Sequence, residues 1–86
     1  MNDDLVYARH ILEAMAKIES FVKNMTFKKF ARSQIAQSAT IYQIAMIGEA
    51  ARHFSTEFQS AHSQVPWAQI VGMRNKLIHD YLGVDL

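Results

Sequence analysis

The sequence predicts an all-α fold, an up-down antiparallel bundle of two long helices plus shorter ones. Three observations predict it. Apolar residues recur at three- and four-residue steps over the first two dozen positions, the repeat of a helix with one buried stripe. A second long stretch, Ser33 to Phe54, is mostly apolar at its centre. The chain's one proline, Pro66, fits the opening turn of a last helix.

The first helix is expected from about Asp3 to Asn24, capped by Asp3 or Asp4, whose charge suits the positive end of a helix. Leu5, Ala8, Leu12, Met15, Ile18 (or Phe21) and Val22 form its buried stripe. Arg9, Glu13 and Lys17, four residues apart, lie on the wet face. Met25 to Arg32 reads as a short helical turn capped by Thr26 and anchored by Phe27 and Phe30. Lys23 to Arg32 carries four basic residues and no acid. Lys28, Lys29 and Arg32 there are candidate phosphate contacts, and a solvated connector surface is the competing reading.

Ser33 to about Phe54 makes the second long helix, with faces traced by Ile35, Ala39, Tyr42, Ala45 or Met46, Glu49 and Ala50. Ile41 to Ala51 holds a single charge, Glu49, and reads as its most buried part. Gly48 in a helix interior costs about 1 kcal/mol relative to alanine, a cost that the close approach of another helix offsets. Glu49 beside it needs a cation such as Arg74, or water. Ser55 to His62 is a polar short helix or loop with Ser55 as cap. His10, His53 and His62 read as surface residues, since none has a companion at metal-ligand spacing. The last helix follows Pro66, with Ser63 as a nearby cap. Trp67, Ile70, Val71, Leu77 and Ile78 supply its buried side, Trp67 as a core anchor.

A chain of 86 residues is expected to be one domain, 1–86. Half of it is hydrophobic, more than so small a body readily hides, which favours self-association. Cysteine is absent, which points to a reducing compartment and excludes thiolate metal sites. Asp3 and Asp4 stand where a secretory signal would be basic, and no apolar run reaches membrane-spanning length. A cytoplasmic, membrane-free protein is the expectation. A net charge of +1 restricts any nucleic-acid contact to a local patch.

The chemistry concentrates in Arg74-Asn75-Lys76-Leu77-Ile78-His79-Asp80-Tyr81. A core helix does not need a permanent cation, an amide, an imidazole and a phenol in eight positions. Such a set suits RNA cleavage by attack of the 2′-hydroxyl on its own phosphate, which needs no cofactor; the competing reading is an arginine that only makes a salt bridge and a histidine that only sits at the surface. Histidine moves the proton, and the planar fork of arginine holds the charge building on the phosphoryl oxygens. His79 and Arg74 fill those roles, and Asn75, one turn before His79, can orient the imidazole or hydrogen-bond a phosphate. Arg74 and His79 lie about 140° apart around one helix. Either the helix unwinds near His79, or two copies face each other and share each site. Gly83 is the expected helix stop.

Arg74, His79 and Tyr81 also form the R-x4-H-x-Y signature of HEPN-domain ribonucleases. The run from Val65 to Asp85, with Pro66-Trp67 and Gly72-Met73-Arg74-Asn75, resembles the HepT branch of that superfamily, as does Ile47-Gly48-Glu49-Ala50-Ala51. The likeness covers nearly the whole chain. It implies a HEPN-like bundle, a metal-independent endoribonuclease of a type II toxin–antitoxin pair, and a cleft at a homodimer interface. Arg74 and His79 are the implied catalytic residues, with Asn75 in support. Lys28, Lys29, Arg32 and Lys76 are candidate RNA contacts. In this branch the motif tyrosine, here Tyr81, accepts AMP from a partner nucleotidyltransferase antitoxin; a phosphate on Arg74's face would occupy the guanidinium. Family members usually continue past Gly83-Val84-Asp85 into one more helix, which a chain ending at Leu86 is expected to lack. Two other readings compete: a catalytically weak helical subunit that binds the nucleotidyltransferase, and a dimeric scaffold whose motif residues make only interface salt bridges.

Overall fold

The computed structural model describes residues 3–82 and has five helices, with no strand among those residues. They are α1 (Asp4–Val22), α2 (Phe27–Arg32), α3 (Gln34–Ala51), α4 (Thr56–Ala61) and α5 (Trp67–Leu82). The all-α bundle read from the sequence is the fold observed. Helix α3 is central: α1 and α5 both pack on it, and α2 folds back against it.

Serine and threonine set the helix starts. Thr26, Ser33 and Ser55 each accept a backbone N–H three residues on, at 3.1 Å, and so open α2, α3 and α4 as expected. Helix α1 ends at Val22, two residues early, because Asn24 turns the chain with φ at 63°. Asp3 precedes α1 without a side-chain capping bond. Asp4 is buried instead, and its carboxylate accepts from the backbone N–H and the hydroxyl of Ser55, at 2.7 and 2.6 Å. Asp4 therefore ties α1 to the α3–α4 corner rather than capping its own helix. Pro66, not Ser63, immediately precedes α5, and its carbonyl accepts from the Ile70 N–H.

The core is built from small side chains. Ala14, Ala36, Ala45, Ala50 and Ala51 are buried, with Gly48 and Phe54. Alanines let α1 and α3 approach closely but hide little apolar area per residue. An aromatic corner supplies the bulk. Phe54 stacks on Phe58 at 4.5 Å between ring centres, and both rings meet Trp67, whose indole N–H donates to the His62 carbonyl. Trp67 is thus the core anchor expected of it.

The buried face of α1 keeps Ala8, Ile18, Phe21 and Val22 of the expected stripe and differs in the rest. Asp4, Tyr7, Ile11, Ala14, Ile18 and Phe21 turn inward, whereas Leu5, Leu12 and Met15 are exposed, Leu12 by 66%. Two apolar faces compete on α1, and the one whose alanine fits α3 wins. Phe27, expected to anchor α2, is 86% exposed, leaving Phe30 to do so. An open apolar groove runs over α3 between α1 and α5, with Ile11, Leu12, Ile47 and Trp67 in its walls. No helix among the described residues is long and apolar enough to cross a membrane.

Candidate functional site

Helix α5 is unbroken from Trp67 through Leu82, so it does not unwind near His79. Arg74 and His79 consequently stay on different faces. Arg74 faces α3 and is 23% exposed; His79 is 64% exposed. One chain does not bring the two together.

Arg74 sits where it does because of Gly48. A Cβ at that position would collide with the Arg74 Cβ and lie 3.0 Å from the Ile70 carbonyl oxygen. Glycine is therefore what lets α5 close on α3, the close approach anticipated from its place in a helix interior. The next residue, Glu49, takes the guanidinium. Its Oε2 lies 3.1 Å from the Arg74 Nε. Both atoms are shut off from solvent and neither makes a well-aligned hydrogen bond, so the contact is an ion pair held slightly out of line.

The other carboxylate oxygen of Glu49 serves α3 itself. Arg52 donates to Oε1 from Nε at 3.1 Å, with its Nη2 at 3.0 Å, and His53 donates from Nε2 at 3.1 Å. The His53 ring also stacks on Tyr7 at 5.1 Å, joining this cluster to α1. The hydrogen bond from Arg52 is the main cause holding the Glu49 carboxyl down, from its ordinary 4.5 to about 2. His53 and the charges of Arg52 and Arg74 add to it, and partial burial opposes it. Between 4.5 and about 2 the unfolded chain takes up a proton here and the folded chain does not. The stabilisation is therefore complete above 4.5 and is lost as the pH falls through that window. Glu49→Gln should lower Tm most above pH 4.5, and melting curves of the two proteins should converge as the pH approaches 2.

Asn75 does not orient His79. Its Oδ1 accepts from Arg74 Nη1 at 2.7 Å. The imidazole is met instead by Asp80, whose Oδ1 lies 3.1 Å from His79 Nδ1. With Nδ1 donating to Asp80, the lone pair of a neutral ring sits on Nε2, facing away from the carboxylate. Sequence reasoning passed over Asp80 because i,i+1 neighbours on a helix do not normally face each other. The cue was its charge directly after the histidine.

Lys28, Lys29, Arg32 and Lys76 are all exposed. Phe30 and Leu77 wall the same groove, which puts the basic helix α2 on the side of α3 that α5 occupies. Tyr81 lies in the last turn of α5, its backbone seven residues on from Arg74, while its side chain falls outside the described residues. Gly83 and the Gly-Val-Asp segment also fall outside them. No group of three His, Cys, Asp or Glu side chains that could hold a metal occurs among the described residues.

Comparison with known proteins bears on the family to which the motif points. The family model described as "Ribonuclease HepT-like" matches residues 11–86. The chain belongs to the HepT-like ribonuclease family. It is 39% identical over 92% of its length to a candidate RNase of Caldanaerobacter subterraneus subsp. tengcongensis, of which it covers 70%. It is 38% identical over 93% of its length to a probable ribonuclease HepT of Thermococcus cleftensis, covering 73% of that protein. A gamma-glutamylcyclotransferase and candidate RNase of Methanocaldococcus jannaschii is 39% identical over 98% of this chain, which spans only 38% of it. No solved structure matches the chain.

Proposed function

We infer that this HepT-like chain is a metal-independent endoribonuclease that works as a homodimer, the toxin of a type II pair with a nucleotidyltransferase antitoxin. The division of α5 between a clamped Arg74 and an exposed His79 carries the reading. About 140° apart on an intact helix, the two groups reach one phosphate most simply when each site takes Arg74 from one copy and His79 from the other. Exposed apolar residues such as Leu5, Leu12, Met15 and Met73 favour association.

In such a site the neutral His79 imidazole takes the proton of the substrate 2′-hydroxyl. The 2′-oxygen–phosphorus bond forms as the phosphorus–5′-oxygen bond breaks, and the leaving oxygen takes a proton from water or from an imidazolium. Arg74 holds the charge that grows on the non-bridging oxygens. The products are a 2′,3′-cyclic phosphate and a 5′-hydroxyl. The basic residues of α2, with Lys76, track the strand on either side. AMP added to Tyr81 supplies a phosphate that competes for the guanidinium and shuts the site, as antitoxin binding does by covering it.

Subunit mixing tests this arrangement. Wild type should cleave RNA in EDTA, whereas Arg74→Ala and His79→Ala should each lose cleavage. Equal amounts of the two variants, unfolded and refolded together, should recover about a quarter of wild-type cleavage, because half the dimers are mixed and each holds one intact site. Cyclic phosphate ends should appear in the RNA products. No recovery on mixing would sink the shared site, and no cleavage by wild type would sink the nuclease.

A further inference from the structure

We propose that Glu49 is a positioning residue for the reaction, fixing the Arg74 guanidinium in the orientation that receives the phosphate. The proposal rests on the ribonuclease reading above. Three observations carry it. First, the Glu49 carboxylate is set from its own helix. Arg52 and His53, three and four residues on, both hold Oε1, so its rotamer does not depend on α5. Second, the opposite oxygen, out of contact with water, is pressed against Arg74 Nε. Third, the preceding residue, Gly48, meets the Arg74 Cβ.

Consecutive residues of α3 therefore hold Arg74 at both ends of its aliphatic stem. An arginine free along that stem samples many rotamers. One pinned at Cβ and at Nε retains only its Nη end, which emerges where Nη1 meets Asn75 at the exposed edge of the contact. Donors fixed before the substrate arrives need no reorganisation as charge develops on the phosphoryl group.

An acid beside a catalytic cation opposes its charge. Here the balance favours the cation. One carboxylate faces two guanidinium groups, Arg52 and Arg74, so the cluster keeps a positive excess. Arg52 makes the aligned hydrogen bonds, and Arg74 is the least of the influences on the Glu49 charge. Glu49 thus orients Arg74 while most of its charge is directed elsewhere.

The test uses the whole protein and two readouts. In the ¹⁵N–¹H spectrum the Arg74 Nε–Hε resonance should shift in Glu49→Gln and exchange faster with water. In the same variant kcat should fall by up to about 10²-fold, with KM changing much less, since the lost alignment matters most when charge peaks. Glu49→Asp, which keeps the charge one methylene short, should recover part of the loss. Helicity by circular dichroism identifies the folded preparations, and rates are taken per folded molecule. An unmoved Arg74 resonance in Glu49→Gln overturns the proposal whether or not RNA is cut. So does a shifted resonance with wild-type kcat. A wild type that cleaves nothing overturns the nuclease reading itself, a failure the spectrum separates from an error about Glu49.

Discussion

Replacing His79 with alanine should lower the single-turnover rate of RNA cleavage by about 10²- to 10⁴-fold, the range for removing a general acid–base group. The fold should hardly notice. His79 is among the exposed side chains of α5, and its hydrogen bond to Asp80 joins two exposed groups, a kind of contact that contributes little to stability. Helicity, Tm and association should therefore match wild type while cleavage is lost. That separation makes His79 a cleaner probe than Arg74. Arg74→Ala also strands the Glu49 Oε2 in a dry contact, so loss of activity there mixes chemistry with packing. A scaffold whose motif residues only bridge subunits predicts the reverse for His79→Ala: weaker association in sedimentation, with no rate to lose. A pure preparation of His79→Ala that cleaves at the wild-type rate would remove His79 from the reaction.

Gly48→Ala should destabilise the protein although it places the best helix former inside a helix. The propensity gain is about 1 kcal/mol. Against it stands a methyl group driven into the Arg74 Cβ and against the Ile70 carbonyl. Neither obstacle is the free end of a side chain, so α5 must move off α3, an overpacking that costs about 1–3 kcal/mol. Larger residues cost more, and Gly48→Leu should prevent the α3–α5 contact. Gly72 is the internal control. It lies on the exposed side of α5, and a Cβ there meets nothing within 4 Å. Gly72→Ala should raise stability by about 1 kcal/mol, or roughly 5 °C in Tm for a domain of this size. Thermal melts of the two variants should thus shift in opposite directions. A stabilised Gly48→Ala would mean that α5 is not seated on α3 as described. The same variant moves Arg74 away from Glu49, so its folded fraction should also lose cleavage.

Local signals carried most of the secondary structure. Thr26, Ser33 and Ser55 announced three helix starts because capping needs only a side chain three residues from an orphan N–H. Gly48 in an apolar helix announced close packing, and Arg74, His79 and Tyr81 announced the family motif, because residue type and spacing are properties of the chain itself. Partner choice was not readable in this way. Leu5, Leu12 and Met15 have the repeat of a buried stripe, yet α3 meets the face with Ala14, since periodicity shows that a face is apolar and not which neighbour covers it. Asp4 looked like a cap and became a bridge to Ser55, fifty-one residues away. Asn75 went to Arg74, and His79 to Asp80, because the side-chain directions of an intact α5 depend on how it is seated. The motif groups and the helices that bear them are written in residue order. Which of those groups is clamped and which stays open to solvent was settled by the packing of α5 against α3, where one missing Cβ and one carboxylate meet a single arginine.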